Sequence, residues 1–359
     1  MVWNCAAIGR LFEGGQLNIE TDHGGNIYHW AQQLGCLPEQ IVDFSANINP
    51  EQAVDPGSLT QVSLQPYAEP GYSALKQSLI HRYRYPVNIG IELFNGASAA
   101  IFALLRYLQP DKLLLYTPLY GEYARIAGQL GCAVQTIDRF TALGASVAHG
   151  STVVFVNPAT PDGTLYPLTE LFDRWQSADC TVIIDESFLD FCHAESVAGL
   201  IGRYEKLYVI KSLSKFYGCA GIRIGYLLAA KRVIDGLKRF EPAWKLSSFD
   251  MAYMQQALAN TPFIEHTRQM TKKRREMLNQ ALHACGLFEQ IYPGQANFLL
   301  AKLAKQGDGF QLQERLLAAK ILIRACANFT GLDKSYVRFA VRDEQAIAYL
   351  ARQLQIIAL

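Results

Sequence analysis

The sequence has no long apolar run and no grouping of cysteine and histidine residues suited to a metal ion. Its apolar stretches all fall short of the roughly 20 residues that a transmembrane helix needs. The eight cysteines are scattered, without a CxxC pair or a histidine at metal-ligand spacing. We therefore predict no membrane partner and no metal site. We interpret the cysteines as small buried apolar residues of a protein in the reducing cytoplasm.

An excess of charge of one sign is also missing. The 359 residues include 33 Lys and Arg against 32 Asp and Glu, for a formal net charge of +1. Neither nucleic acid nor an anionic membrane surface is therefore indicated as a partner. Half of the residues are hydrophobic, as in a globular enzyme with one large core or two unequal domains. The first 15 residues show no cleavage pattern, and we interpret them as a leader tail of little structural weight.

From about residue 73, segments with helical spacing alternate with short, apolar, β-branched segments. STVVFVNP, CTVIIDES and KLYVIKS are typical of strands buried on both faces of a parallel sheet. After about residue 245 a long basic helix leads into strands and helices packed side by side. We predict an α/β fold, with a large domain built on a mainly parallel sheet between helices and a smaller α+β domain. The predicted divisions are an N-terminal arm (1–45), a large domain (46–245) and a small domain (246–359).

The segment SLSKFYGCAGIRIGY, residues 212–226, places Lys215 directly after an apolar strand. Burial lowers the pKa of a lysine from its usual value of about 10.4, and the neutral amine is the form that reacts with carbonyl groups. Ser212 and Arg223 flank the lysine, and an arginine binds phosphate oxygens in a bidentate manner. A lysine beside glycines is usually structural or solvated, so its interpretation depends on these neighbours.

Two other segments supply compatible groups. In FNGASAAIFALL, Ala97 and Ser98 begin an apolar helix, where backbone N–H groups and the helix dipole favour an anion. In VIIDES, Asp185 and Glu186 end a hydrophobic strand, where two acids could hold a metal, pair with a base or cap a turn. An aspartate there would also keep a pyridinium nitrogen protonated. Lysine, phosphate cradle and buried acid together indicate pyridoxal phosphate (PLP) better than any one of them alone.

The lysine segment resembles the PLP-lysine motif of fold-type I enzymes of the class I/II aminotransferase family, in the branch with histidinol-phosphate aminotransferase. DHGGNIYHWAQQLG, DFSANINP and ILIRACANFTGLDKSYVRFAVR are similar to the branch that decarboxylates L-threonine O-3-phosphate in cobalamin biosynthesis. The resemblance runs from about residue 22 to the C-terminus. It implies a PLP-dependent carbon–carbon lyase that acts as a homodimer on a phosphorylated amino acid.

The resemblance also implies roles in cofactor binding. Lys215 would carry PLP and later move a proton, and Asp185 would pair with the ring nitrogen. Tyr120 would stack on the ring, because stacking requires a flat aromatic face. Tyr67 would reach the phosphate of the neighbouring subunit's cofactor. The cofactor phosphate would be held by Ala97, Ser98, Ser212 and Arg223.

Four further residues match the substrate-binding positions of the decarboxylase branch. Arg338 in YVRFAVR would grip the substrate's α-carboxylate as a bidentate clamp. Arg324 in ILIRAC, together with His23 and Asn47, would recognise the substrate's own phosphate. Without the resemblance, a strand arginine more often pairs with a surface acid.

The sequence departs from the family pattern at two positions that contact the cofactor's phenolic oxygen. In NPATPDG, Thr160 stands where the family motif NPNNPTG has its second asparagine. Phe188 in DESFLDF replaces a tyrosine that donates to the same oxygen in many aminotransferases. Both changes predict a weaker contact to that oxygen. Asn157 would be the substitute donor if the loop shifts.

Three functions remain open on these residues. The first is decarboxylation of L-threonine O-3-phosphate to (R)-1-aminopropan-2-ol O-phosphate, and the second is transamination of histidinol phosphate or a related amine. These two differ in which bond to the substrate's Cα stands perpendicular to the cofactor ring. The third is a regulator that binds ligand without turnover, and the intact set of Lys215, Asp185 and Arg223 argues against it.

Overall fold

The computed structural model describes residues 23–305 and 307–358. The leader tail predicted over the first 15 residues lies outside these ranges. Thirteen strands are present in the described part: β1 (Val42–Asp43), β2 (Ile89–Asn95), β3 (Lys112–Thr117), β4 (Ala133–Asp138), β5 (Thr152–Val156), β6 (Thr181–Asp185), β7 (Leu207–Ser212), β8 (Ile224–Ala230), β9 (Phe288–Ile291), β10 (Phe298–Leu303), β11 (Ile321–Leu322), β12 (Arg324–Ala325) and β13 (Tyr336–Ala340).

Ten α-helices accompany these strands in the same ranges. They are α1 (Ile27–Leu34), α2 (Ser73–Tyr83), α3 (Gly96–Leu108), α4 (Glu122–Gln129), α5 (Thr169–Ser177), α6 (Lys231–Leu237), α7 (Ser248–Ala259), α8 (Thr261–Ala284), α9 (Gly309–Leu317) and α10 (Glu344–Ala358). None of the helices in residues 23–305 and 307–358 has the length and apolar character needed to cross a bilayer.

The large domain is built on a seven-stranded sheet in the order β2-β8-β7-β6-β5-β3-β4. The four pairs from β7 to β4 are parallel, whereas β8 runs antiparallel to both β2 and β7. Every residue of β5 and β7 is buried, as expected for strands covered by helices on both faces. The predicted α/β fold with a mainly parallel sheet is confirmed.

Helix α3 lies close to β8 because of a glycine. A Cβ atom at Gly225 would lie 2.3 Å from the backbone nitrogen of Ala97. Only a residue without a side chain allows the first turn of α3 to rest directly on this strand. The N-terminus of α3 is thereby held beside the ends of the central strands.

The small domain contains an antiparallel sheet in the order β12-β13-β10-β9, covered by α8, α9 and α10. Its separate core includes Leu278, Leu299, Leu316 and Phe339. Phe44 belongs to the same core, and β1 pairs in parallel with β11. Residues 42–44 of the predicted N-terminal arm therefore pack on the small domain.

Helix α7 follows residue 245, where the division between the domains was predicted, but it packs on the large domain. Its buried residues Tyr253, Met254, Ala257 and Leu258 belong to the core of the large domain. We propose that the division between the domains lies near residue 260, at the start of α8.

The described cysteines are all free thiols. Five of them are buried, and Cys36 and Cys132 are partly buried. Their burial agrees with small apolar residues in the core.

Candidate active site

A cavity of about 300 Å³ lies at the carboxyl ends of the central parallel strands, between the sheets of the two domains. It brings together residues from segments that are far apart in the sequence. Twelve of the fourteen residues predicted for the site line it: His23, Asn47, Ala97, Ser98, Tyr120, Thr160, Asp185, Ser212, Lys215, Arg223, Arg324 and Arg338.

The other two predicted residues, Tyr67 and Asn157, do not line this cavity. Tyr67 is 79% exposed and stacks on Trp244, with ring centroids 4.7 Å apart. The amide of Asn157 donates to the carbonyl of Tyr166 at 3.1 Å and accepts from its N–H at 2.9 Å. These contacts brace the loop that begins at Asn157, so its amide is not directed at a ligand in the cavity.

Lys215 reaches the cavity from the loop that follows β7. Its Nζ lies 4.6 Å from the centre of the Phe188 ring. Burial lowers the pKa of Lys215 to about 8, with Asp185 acting in the opposite direction and the charge of Arg223 contributing to the decrease. About a tenth of the amine is then neutral at pH 7, a far larger fraction than for an ordinary lysine.

Asp185 ends β6 and is held by two donors. The hydroxyl of Tyr123 donates to Oδ2 at 3.0 Å, and the N–H of Ser187 donates to Oδ1 at 2.9 Å. Burial, together with the charge of Asp185, raises the pKa of Tyr123, so this hydroxyl stays protonated. Sequence reasoning missed Tyr123, although it lies three residues after Tyr120, in the first turn of α4. The two donors fix the direction of the carboxyl group.

An anion cradle is formed where α3 begins. Ser98 Oγ and Tyr120 Oη lie 3.1 Å apart, and Arg223 is anchored by donating from Nη1 to the carbonyl of Ala220 at 3.0 Å. Gly96 has φ +81°, and a Cβ there would lie 2.5 Å from Arg223 Nη2. Glycine at this position therefore leaves space for the guanidinium beside the helix N-terminus, an arrangement suited to a phosphate group.

Two arginines lie directly opposite each other on neighbouring strands of the small-domain sheet. Arg324 of β12 is the register partner of Arg338 of β13. Arg338 donates from Nη1 to Thr160 Oγ1 at 3.2 Å and from Nη2 to the carbonyl of Ser45 at 2.9 Å. Arg324 donates from Nη2 to Asn328 Oδ1 at 2.7 Å. Burial lowers the pKa of Arg338 to about 10, and the charge of Arg324 contributes to the decrease. Like charges directly opposite one another are unfavourable, so anions bound between them would relieve the repulsion.

Other unsatisfied polar groups point to a ligand in the same cavity. Asn47 is only 6% exposed, and its Oδ1 has no hydrogen-bond partner among the described residues. Arg338 Nε is also buried without a partner there. Buried polar atoms of this kind normally have partners, and a bound polar ligand could supply them.

His23 lies at the edge of the cavity. Its Nε2 is 3.0 Å from Glu122 Oε1, and Glu122 also pairs with Arg125. The ring of His23 is 5.5 Å from that of Tyr120. Glu122 therefore positions His23, a role that was not predicted although the acid follows Tyr120 by two residues.

The charges of the cavity explain which ligands it can hold. Lys215 and three arginines line it, whereas Asp185 is the single carboxylate among its described lining residues. The described ranges contain no cluster of metal-ligating side chains. The residues present fit PLP, because they supply a lysine with a lowered pKa, a carboxyl group for the ring nitrogen, an aromatic face and a phosphate cradle.

The profile of the family described as "Aminotransferase class I and II" matches residues 44–354. Threonine-phosphate decarboxylase of Salmonella typhimurium is 31% identical to this chain, over 95% of this chain and 98% of its own length. A histidinol-phosphate aminotransferase structure from Clostridium acetobutylicum has a TM-score of 0.80 at 28% identity and covers 89% of this chain and 99% of its own. L-threonine-O-3-phosphate decarboxylase from Porphyromonas gingivalis, at 23% identity, has a TM-score of 0.79 over 88% and 99%, which supports the fold.

Proposed function

The chain belongs to the aminotransferase class I and II family, and from this premise we propose that it is a PLP-dependent decarboxylase of L-threonine O-3-phosphate. Its product would be (R)-1-aminopropan-2-ol O-phosphate, for cobalamin biosynthesis. The observation that carries the proposal is the placement of three arginines and one reactive lysine in a single cavity. The 31% identity to a threonine-phosphate decarboxylase over nearly the whole chain supports the same substrate.

Each arginine has a matching anionic group in this proposal. Arg223 would bind the cofactor phosphate, Arg338 the α-carboxylate and Arg324 the phosphate of the substrate. Residues directly opposite in an antiparallel pair have Cα atoms about 4.5–5.5 Å apart. Adjacent Arg324 and Arg338 therefore suit a short substrate that carries a phosphate and a carboxylate close together. Histidinol phosphate has no carboxylate for Arg338, whereas the 2-oxoglutarate of the aminotransferase reaction has carboxylates but no phosphate. Only the decarboxylase substrate presents a phosphate and a carboxylate to the two arginines at once.

PLP, when bound, supplies an aldehyde for an amine and a ring that accepts the electron pair of a broken bond at Cα. Lys215 would hold the cofactor, because its lowered pKa leaves part of the amine neutral. Asp185, fixed by Tyr123 and Ser187, would face the ring nitrogen. Tyr120 would cover the ring.

The choice of bond would depend on how the substrate is held. Arg324 and Asn47 would anchor the distal phosphate and thereby fix the orientation of the substrate in the cavity. Arg338 would steer the carboxylate while tethered to Thr160 and the Ser45 carbonyl. After CO2 leaves, Lys215 would return a proton to Cα.

We further propose that the site is completed by a second copy of the chain. Tyr67 lies outside the cavity of its own chain and is largely exposed beside Trp244. Its hydroxyl could reach a cofactor phosphate from a partner across an isologous two-fold interface. The free, mostly buried thiols agree with the reducing cytoplasm as the place of action.

A comparison of products tests this function. The purified protein, supplied with PLP, is incubated separately with L-threonine O-3-phosphate and with histidinol phosphate plus 2-oxoglutarate, and products are identified by mass spectrometry. We expect 1-aminopropan-2-ol phosphate from the first mixture and no glutamate from the second. Glutamate formation from histidinol phosphate, without the amino-alcohol phosphate, would establish the aminotransferase alternative. Lys215→Ala is the control for both.

A further inference from the structure

Behind the strands that carry the site lies a second, wholly buried group of charges. Successive side chains of an extended strand point to opposite faces. Asp185 and Ser212 therefore face the cavity, while their neighbours Glu186 and Lys211 lie on the reverse face. Glu186 is 2% exposed and Lys211 is 1% exposed.

The partners of Lys211 are close and specific. Its Nζ lies 3.3 Å from Asp190 Oδ1, 3.6 Å from Glu186 Oε2 and 4.7 Å from the centre of the Tyr83 ring. Tyr83 donates to Asp190 Oδ2 at 2.9 Å, and the N–H of Val197 donates to Glu186 Oε1 at 2.8 Å. We call Lys211, Asp190 and Glu186 the reverse-face cluster.

A buried group of charges of this kind is weak evidence for stability. The desolvation of buried ions offsets much of their attraction, and a well-packed apolar group is often as stable or more stable. Glu186 Oε2 has no hydrogen bond within the described residues, and burial raises the pKa of Glu186. A role in fixing local conformation is the alternative explanation.

The cluster is linked to Lys215 through a short turn. Asp190 lies in the 3-10 turn Leu189–Phe191, and its carbonyl accepts from Arg268 Nε of α8 at 3.0 Å. Phe188 immediately precedes this turn. Its ring packs on Phe298, with ring centroids 4.8 Å apart, and its centre lies 4.6 Å from Lys215 Nζ. Movement of Asp190 would therefore move the ring that lies against the Lys215 amine.

We propose that Lys211 is a positioning residue, which holds Asp190 and thereby keeps Phe188 against Lys215. The inference rests on the proposed role of Lys215 as the cofactor lysine. Loss of the contact would expose more of the Lys215 amine and raise its pKa toward the ordinary value. Charged groups that also face this amine are Asp185, Arg223 and Arg338.

The test uses the double variant Lys211→Met with Asp190→Asn. It removes one positive and one negative charge together, so direct electrostatic effects on Lys215 largely cancel. The matched control is Lys206→Met with Asp179→Asn. It removes an exposed ion pair with a distance of 2.7 Å between Lys206, just before β7, and Asp179, just before β6. The measurement is the pH dependence of reductive methylation of Lys215 in cofactor-free protein, followed by peptide mass spectrometry.

We expect the pKa of Lys215 to rise by about one unit in the double variant, a roughly tenfold loss of neutral amine at pH 7. In the control pair and in Lys211→Arg, the pKa of Lys215 should stay within about 0.3 units of the wild-type value. Lys211→Arg preserves a cation opposite Asp190. A folded double variant with an unchanged pKa would overturn the proposal. If the double variant does not fold, the same measurement is made on Phe188→Leu. The proposal requires the same rise in the pKa of Lys215 in that variant, and an unchanged pKa would refute it.

The test of the positioning role of Lys211 can fail independently of the proposed function. Borohydride reduction of the PLP-treated wild-type protein shows whether Lys215 carries the cofactor. Failure to label Lys215 would refute the proposed function, whatever the methylation result. Labelling of Lys215, with unchanged methylation in the variants, would refute the positioning role alone.

Discussion

Replacing Thr160 by valine should weaken substrate binding more than it weakens cofactor binding. The Thr160 hydroxyl accepts a hydrogen bond from Arg338 Nη1 at 3.2 Å, and the Ser45 carbonyl is the second acceptor for this guanidinium. Valine has nearly the same shape but cannot accept the bond. Arg338 would then be held at one point and would be free to rotate away from the substrate's carboxylate.

The distance between Arg338 and Thr160 sets the expected size of the effect. A hydrogen bond to a charged group contributes about 1.5–3 kcal/mol, and a bond of 3.2 Å belongs at the lower end. About 1.5 kcal/mol corresponds to roughly a tenfold change in an equilibrium constant. We therefore expect kcat/KM for L-threonine O-3-phosphate to fall about tenfold in Thr160→Val.

Steady-state decarboxylation kinetics and PLP titration of the cofactor-free protein provide the assay. Thr160→Ser is the control, since it keeps the hydroxyl, and it should remain within about threefold of the wild type. PLP affinity should change less than kcat/KM in both variants, because the contact of the Thr160 hydroxyl to the cofactor's phenolic oxygen is predicted to be weak. An unchanged kcat/KM, or a loss of PLP affinity equal to the loss of kcat/KM, would refute this reasoning.

Three further predictions concern the lysine, the substrate phosphate and the second subunit. Because burial lowers the pKa of Lys215 to about 8, the rate of PLP capture by cofactor-free protein should rise through pH 7 and 8 and level off above about pH 9; a rate independent of pH over this range would contradict it. Arg324→Ala should lower the preference for phosphorylated over unphosphorylated threonine about a hundredfold, since charge-assisted bonds contribute about 1.5–3 kcal/mol each. Arg324→Lys should lose less of this preference. An equal preference in Arg324→Ala and the wild type would exclude Arg324 as the residue that binds the substrate phosphate. Mixing Lys215→Ala with Tyr67→Ala should restore up to about a quarter of wild-type activity after subunit exchange, whereas no gain would mean that Tyr67 does not act across subunits.

Much of the site could be predicted because it follows strand ends. Asp185, Ser212 and Lys215 come directly after apolar runs, and the carboxyl ends of parallel strands meet at one edge of a sheet. The direction of β8 was not predicted, since an apolar run indicates a strand but not its orientation. The reversal matters, because it brings Arg223, just before β8, to the start of α3.

Residues whose contacts depend on distant parts of the chain were harder to predict. Asn157 was a plausible substitute donor, but its amide binds the backbone nine residues later in the same loop. Glu186 was one of two acids with several possible roles, and its partner Lys211 lies 25 residues away on the next strand. Helix α7 has no strongly amphipathic pattern, so the side on which it packs could be assigned only from the tertiary structure.

The most direct test of the central claim counts CO2 molecules per active site in the absence of any oxo acid. L-threonine O-3-phosphate labelled at C1 is added in large excess to PLP-loaded protein, and labelled CO2 is collected over time. A decarboxylase needs no second substrate, so we predict release of many CO2 molecules per site. An aminotransferase would stop after one substrate per site and release none. No labelled CO2, with at most one equivalent of oxo acid formed per site, would contradict the account.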